Sequence, residues 1–357
     1  MKTTLSRVVR RYQPSPWRVI QARNHSSDSF IQQVAAVDTS HESIIIERFR
    51  ELAFDAGKPL LVKQLHDGSS RMPAIERWFQ TVVDDQNTPV TEAVSSYFQG
   101  FSMAYMPYEL MYPQLDGGAG EVVSQFVTFL ESGNSNTAGV AVERALADHL
   151  RQQLLMVGTE PRVALEQRLL RFEAPLALLI AALRYNARTQ EPSRMRQLYI
   201  AQSSLSDLPE EMSQDLPAPR IVEEAGKGDI YASSIWLGLE PTYTPLHRDP
   251  NPNLFVQLRS SKTVRLLPPR DGDAVFRHVQ ARLGRSGGSS RIRGTEMMEG
   301  PERTMLHSVI WTQPEVELQE AHLGPGDALF IPKGWWHSVR SRSEDGRLNG
   351  SVNWWFR

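Results

Sequence analysis

The stretch TPLHRDPNPNLFVQLRSSKTVRLLPP, Thr244 to Pro269, decides how this chain is read. It has the β-branched and aromatic content of strands, yet it places a histidine, an aspartate, an asparagine and a lysine on them. Polar side chains at that density ordinarily face water. The sharper reading turns them inward, around a metal and an acidic ligand. His247 and Asp249 are two residues apart, so on an extended strand both side chains leave by one face. A two-residue turn at Ser260 and Ser261 would make a β-hairpin in which Arg259 pairs with Lys262. Alternation then sets Lys262 on the face of Asn253, Asp249 and His247. Pro250 and Pro252 point to an edge or a bend in the first of these strands. A lysine directed into a barrel is costly unless it meets an anion, and a ligand carboxylate would satisfy it.

Composition narrows the chemistry. The 357 residues are 40% hydrophobic, enough for one large domain or two modest ones with a substantial core. A formal net charge of -2 gives no global argument for nucleic acid or an anionic membrane. Cysteine is absent, which removes disulfides, thiolate metal sites and cysteine nucleophiles together, so a metal must be held by His, Asp or Glu. The longest apolar run, Ala174 to Leu183, falls short of the roughly 20 residues that span a bilayer, so no membrane insertion is expected. Residues 1–27 stand apart: Lys2, Arg7, Arg10, Arg11, Arg18 and Arg23 occur there with no acidic residue among interspersed Ser and Thr. That is the composition of a mitochondrial presequence and predicts a matrix location; the alternative is a basic tail on a cytoplasmic protein.

The chain divides by pattern. Residues 28–195 are expected to be mainly helical with the first strands of the barrel. SIIIERFRELAF (43–54) predicts a helix, PLLVKQL (59–65) a strand, and PAIERWFQTVV (73–83) a helix opened by proline. VTEAVSSYF (90–98) predicts a strand, and 120–186 is helical in character, with EVVSQFVTFLES, AVERALADHLRQQLLMVG and PLALLIAALRY as helices separated by glycine and proline. From 196 to 357 short runs of β-branched and aromatic residues take over: RQLYIAQ, DIYASSIWLGL, NLFVQLR, KTVRLLP, SVIWTQ, ALFIP and GSVNWWF. Many short strands at this spacing predict a jelly roll, giving an α+β fold with a β-barrel and an amino-terminal, inserted helical region. The arginine-rich segment Arg277 to Arg303 reads as a mobile surface loop.

The third metal ligand should come from a distant strand that closes the barrel, and GPGDALFIPKGWWHSV offers His337. His307 and His322 also fall in the β region but lack a matching context. Two histidines and one carboxylate on one side of an iron leave open positions for a 2-oxoacid and dioxygen, the facial triad of non-haem Fe(II) oxygenases.

YIAQ, the Trp236 to Pro269 stretch, GDALFIPKGWWHSV and SVNWWF together resemble the JmjC-type cupin hydroxylases, in particular the factor-inhibiting-HIF-like and JmjC arginyl-hydroxylase groups. The resemblance runs from about Arg196 to Phe356. It implies a double-stranded β-helix and an Fe(II)- and 2-oxoglutarate-dependent dioxygenase with dioxygen as second cosubstrate. His247, Asp249 and His337 match the iron ligands, and Lys262 matches the lysine that pairs with the distal carboxylate of 2-oxoglutarate. Thr244 matches the hydroxyl residue sharing that carboxylate, though at three residues before His247 it needs a bend or bulge to face the same ligand. Tyr199, Asn253 and Asn353 match further cosubstrate-contact or pocket positions, and Trp236 a pocket-wall aromatic. Trp335, Trp336, Trp354 and Trp355 are read as core.

These assignments predict hydroxylation of a protein or peptide side chain, with an RNA base as the alternative substrate. Histone lysine demethylation ranks lower for a matrix-directed chain, and a non-catalytic cupin binding module is the alternative outside enzymes. The chain ends just after SVNWWFR, without the carboxy-terminal helices that some relatives use to dimerise, so a monomer is the expectation.

Overall fold

A computed structural model describes residues 30–41, 43–66, 72–83, 89–113, 119–133, 137–158, 167–285 and 300–357. The presequence reading of 1–27 lies outside them.

In chain order the strands are β1 (Ile31–Gln33), β2 (Ala36–Asp38), β3 (Leu60–Lys63), β4 (Phe79–Val83), β5 (Pro89–Val94), β6 (Tyr105–Pro113), β7 (Gln167–Pro175) and β8 (Leu198–Ser204). They continue with β9 (Ile230–Leu239), β10 (Tyr243–Arg248), β11 (Asn253–Arg259), β12 (Lys262–Leu267), β13 (Leu318–Leu323), β14 (Ala328–Ile331), β15 (Trp336–Ser341) and β16 (Leu348–Phe356). One sheet runs β1-β13-β12-β15-β10 and the other β2-β3-β14-β11-β16-β9-β8-β6-β7, with β4 and β5 as a separate pair. The two large sheets form the jelly roll, with one apolar layer between them and one outside each. Val264, Leu266, Phe255, Leu329, Ile331 and Val339 fill the space between the sheets. Leu254, Val256, Val352, Trp354 and Phe356 leave by the opposite face of the nine-stranded sheet into the largest core, with the helices. This strict alternation sorts the site residues: along β11, Asn253, Phe255 and Gln257 face inward, and along β16 so do Asn349, Ser351, Asn353 and Trp355.

Several expectations are corrected. β11 and β12 do not form a hairpin: β11 pairs with β14 and β16, whereas β12 pairs with β13 and β15. Ser260, at φ 57°, turns the chain from one sheet across to the other. Lys262 still faces inward, because it shares a face of β12 with Val264 and Leu266. The three helices expected in the middle are present, but a strand not expected from the sequence stands among them. Helices Ala119–Glu131, Thr137–Gly158 and Ala177–Arg188 are interrupted by β7, which pairs along its whole length with β6. The nine-stranded sheet therefore draws strands from both sides of residue 195. The run from Pro73 is helical only to Arg77, and the strand expected at Val90 stops at Val94 before the short helix Ser96–Gln99. SVIWTQ is a π-helical turn, Ser308–Thr312, continuing helix Gly300–His307, and it buries Ile310 and Trp311 rather than alternating them. Arg277 to Arg282 close the helix Pro269–Arg282 instead of belonging to a loop; residues 286–299 lie outside the described residues. No described helix is long and apolar enough to cross a membrane.

Candidate metal centre and its cavity

β10 and β15 lie side by side with His247 opposite His337 in the antiparallel register. Their rings come within 4.1 Å, centroid to centroid. Asp249 follows β10 and swings its carboxylate between them: Oδ1 is 3.8 Å from His247 Nε2 and Oδ2 is 3.6 Å from His337 Nε2. These three residues are the group of potential metal ligands found among the described residues. Their surroundings prepare them. The Nδ1 of His247 lies 2.8 Å from the Pro245 carbonyl and that of His337 3.2 Å from the Trp335 carbonyl. Each ring can then donate Nδ1–H to backbone, leaving the Nε2 lone pair free for a metal. Burial, reinforced by neighbouring His247, pushes His337 down to about 4, so it is neutral at pH 7. Burial alone would raise Asp249, but His337 and His247 together with donors on Trp355 and Asn253 outweigh it and hold the carboxyl below its ordinary range. A buried two-histidine, one-carboxylate set whose Nε2 atoms face the carboxylate fits a divalent iron bound from one side.

Asp249 Oδ2 is held from two directions. Trp355 Nε1–H donates to it at 2.7 Å and Asn253 Nδ2–H at 3.0 Å. Behind Asn253 a relay continues: Asn353 Nδ2–H donates to Asn253 Oδ1 at 3.2 Å, and Trp236 Nε1–H donates to Asn353 Oδ1 at 2.8 Å. Asn253, Asn353 and Trp236 thus line the cavity and also orient the carboxylate. Trp355, read as core from sequence, is half-buried and touches the centre directly. Trp355→Phe keeps the ring but removes the donor; metal affinity is expected to fall about tenfold, the lower end for a lost partner of a ligand. Metal titration of the folded variant checks this, and an unchanged affinity would show that the contact has no orienting role.

A helix braces the two ligand-bearing strands from outside. Asp273, on Pro269–Arg282, accepts from Trp336 Nε1 at 3.0 Å and pairs with Arg248 at 2.9 Å, the neighbours of His337 and His247. The helix approaches Trp336 so closely that a Cβ on Gly272 would lie 2.1 Å from the indole, so only glycine fits.

The centre opens into a cavity of about 320 Å³ between the sheets. All nine residues singled out from sequence, His247, Asp249, His337, Tyr199, Thr244, Asn253, Lys262, Asn353 and Trp236, line it. A register shift in β10 between Thr244 and His247 is the bulge that lets both reach it. Lys262 lies in the cavity wall, fully buried. Its Nζ donates to Ser351 Oγ at 2.8 Å and Tyr199 Oη at 3.2 Å, and it sits over the Phe255 ring at 5.3 Å. No carboxylate is within ion-pairing distance of it among the described residues, and burial, only partly offset by the charge of Glu240, pushes the amine down to about 7. Burial also raises the Tyr199 phenol, so it remains protonated. Tyr199 lies flat against Gly238, where a Cβ would come within 2.4 Å of its ring. Ser351, absent from the sequence reading, was signalled by β16 alternation, two residues before Asn353. His307 and His322 are elsewhere: His307 packs edge-on against Tyr243, and His322 pairs with Glu320.

Comparison with known proteins agrees with this architecture. Residues 47–357 match a family model described as a cupin-like domain. Similar relatives include the lysine-specific demethylase JMJ30 of Arabidopsis thaliana, 30% identical over 169 residues that cover 47% of this chain and 36% of the relative. Lysine-specific demethylase 8 of Danio rerio is 29% identical over 160 residues, 44% of this chain and 36% of the relative. Jumonji C domain-containing protein 5 of Drosophila melanogaster is 31% identical over 174 residues, 47% and 39% respectively. The matches thus span well under half the length of these relatives. With a family model covering most of its length and a two-sheet barrel enclosing the metal centre, the chain belongs to the cupin-like domain family.

Proposed function

We propose that this protein is an Fe(II)- and 2-oxoglutarate-dependent oxygenase that hydroxylates a protein or peptide side chain, of the factor-inhibiting-HIF-like or JmjC arginyl-hydroxylase kind. The observation that carries the reading is Lys262: a buried amine with no carboxylate at ion-pairing distance among the described residues, lining the same cavity as a metal-ready triad. An isolated buried cation is expensive, and a bound dicarboxylate would both pair with it and reach the metal with its other end. Iron held by His247, Asp249 and His337 would supply the activation of dioxygen, with an overall balance of one 2-oxoglutarate, one dioxygen and one C–H bond giving succinate, carbon dioxide and C–OH. The chain's own part is positioning and shielding. Lys262, with Tyr199 and Thr244, takes the distal carboxylate; Asp249, held by Trp355 and Asn253, stays deprotonated; Phe255, Ile331 and Val339 exclude water from the reacting end.

Two of the relatives are lysine-specific demethylases, which points to methyl-lysine as an acceptor, and removal of an N-methyl group begins as hydroxylation of its carbon, so both outcomes fall within one chemistry. The test is 2-oxoglutarate turnover with Fe(II) over a peptide library, scored by mass spectrometry for a gain of one oxygen or loss of a methylene. Peptide-stimulated succinate formation with either change supports the reading. Turnover stimulated only by RNA moves the acceptor to a base, and metal uptake without any turnover makes the protein a binding module. We also propose that residues 1–27 direct the protein to the mitochondrial matrix, on their basic, acid-free composition. A fluorescent reporter carrying residues 1–27 should enter mitochondria, and a diffuse cytoplasmic signal would refute the targeting role.

A further inference from the structure

Beneath Lys262 the floor of the barrel is polar, and nothing in the metal chemistry uses it. Alternation along β9 points Trp236 and Gly238 inward, and Glu240, just past the strand end, continues that face. Glu240 is completely buried. Its Oε1 accepts from Ser260 Oγ at 2.7 Å and from Asn349 Nδ2 at 2.7 Å, while Oε2 meets no partner among the described residues. Asn349, on β16, donates also to the Ser261 carbonyl at 3.2 Å. Gln257, on β11, completes the floor, with Nε2–H donating to Asn349 Oδ1 at 3.2 Å and to the Arg259 carbonyl at 2.6 Å.

These bonds converge on one place. Ser260 and Ser261 are the two residues by which the chain leaves the nine-stranded sheet and crosses to the five-stranded one, and Lys262 is the next residue. Ser260 holds a left-handed backbone at φ 57°, and the β11 register shifts between Gln257 and Arg259. A crossing with strained backbone and no ladder of its own must be fixed by side chains. Glu240 fixes the first crossing residue directly and the second through Asn349; Arg342 N–H, donating to the Ser261 carbonyl at 3.1 Å, ties the far side.

We infer that Glu240 is a positioning residue for the cosubstrate: through Ser260 and Asn349 it fixes the crossing that aims Lys262 at the distal carboxylate of 2-oxoglutarate. The inference rests on the function proposed above and goes beyond it by assigning a role outside the cavity lining, to a residue that touches neither metal nor ligand. The positioning role belongs to the acceptor oxygen; the Glu240 charge acts separately, partly offsetting the burial that lowers the Lys262 amine. Burial already raises the Glu240 carboxyl, and a glutamine would present the same Oε1.

The experiment titrates full-length protein first with Mn(II), a redox-inert stand-in for iron, and then with 2-oxoglutarate, by calorimetry. Glu240→Ala is expected to weaken 2-oxoglutarate binding by about tenfold, the scale of losing a buried acceptor shared by two donors, with Mn(II) affinity unchanged. At pH 6, below the value of about 7 at which the Lys262 amine titrates, Glu240→Gln is expected to bind 2-oxoglutarate like wild type, because the amine there depends least on the Glu240 charge. In turnover with Fe(II), Glu240→Ala should raise KM for 2-oxoglutarate and leave kcat nearly unchanged. A folded Glu240→Ala protein with wild-type 2-oxoglutarate affinity overturns the inference, and so does a Glu240→Gln protein as weak as Glu240→Ala, which would assign the effect to charge. Should Glu240→Ala not fold, Ser260→Ala removes one donor alone. It is expected to weaken 2-oxoglutarate binding about threefold, within the range for one hydrogen bond, and no change there overturns the inference equally. Wild-type protein that takes up Mn(II) but not 2-oxoglutarate would instead defeat the proposed function itself.

Discussion

Asp249→Ala is expected to lower 2-oxoglutarate turnover by about a thousandfold or more, the scale of losing a preorganised charge at the reacting centre. Asp249 supplies the only anionic ligand of the triad, and its loss leaves two histidines to hold a divalent cation. The substitution also strands the indole N–H of Trp355 and the amide of Asn253, at about 1–3 kcal/mol each if no water replaces the carboxylate. Asp249 belongs to none of the apolar layers that hold the sheets together, so the barrel should remain folded. His247→Ala should have a similar effect on turnover. Succinate formation by the two purified variants, with circular dichroism as the control for folding, checks both; retained 2-oxoglutarate decarboxylation in both would refute the ligand assignment.

Lys262→Met should separate function from stability. The amine titrates near 10.5 when unfolded and near 7 in its folded site, so the unfolded chain binds the extra proton between those values and burial of the charged form destabilises the protein most below pH 7. As pH rises through this window the penalty is relieved. Methionine fills the space without a charge, so the variant should melt at a higher temperature than wild type at pH 7 while its 2-oxoglutarate requirement rises steeply. The same shift predicts a pH dependence for wild type. A dicarboxylate favours the ammonium form, so its affinity should fall as pH rises above 7, by at most about tenfold per unit because one proton is taken up. Calorimetric titration with 2-oxoglutarate between pH 6 and 9 reads this, and an affinity independent of pH would show that Lys262 does not meet the dicarboxylate.

How much of this was legible beforehand follows from where the information lies. His247, Asp249, Thr244, Asn253 and Lys262 fall within one short stretch, and period-two alternation assigns the inward face of each strand almost independently of the fold around it. The inward direction of Lys262 came out correctly although the hairpin invoked for it does not exist. A two-residue connection can close a hairpin or turn a barrel corner, and only the long-range partners β14, β16, β13 and β15 decide which. β7 was hidden among helices, although Leu170, Phe172 and Ala174 alternate with exposed Arg171 and Glu173. In Ser308–Thr312, β-branched and aromatic residues suggested a strand, but burial of Ile310 and Trp311 beneath the five-stranded sheet favoured continuing the preceding helix. Trp355 was missed for another reason. Tryptophan is far more often core than contact, and its N–H reaches Asp249 only because β16 lies beside β11 in this register. Glu240 gave no local signal, since its partners are Ser260 and Asn349, distant along the chain.

The central claim is that one cavity holds iron at one end and a dicarboxylate at the other. Anaerobic titration of the protein with Fe(II) and then 2-oxoglutarate tests it most directly, by the visible charge-transfer absorption that appears when a 2-oxoacid chelates ferrous iron. The account predicts a band that saturates at one 2-oxoglutarate per protein in wild type, is lost in His337→Ala, and needs far more 2-oxoglutarate in Lys262→Met. A folded wild-type protein that gives no band, or a band that His337→Ala leaves intact, would contradict it.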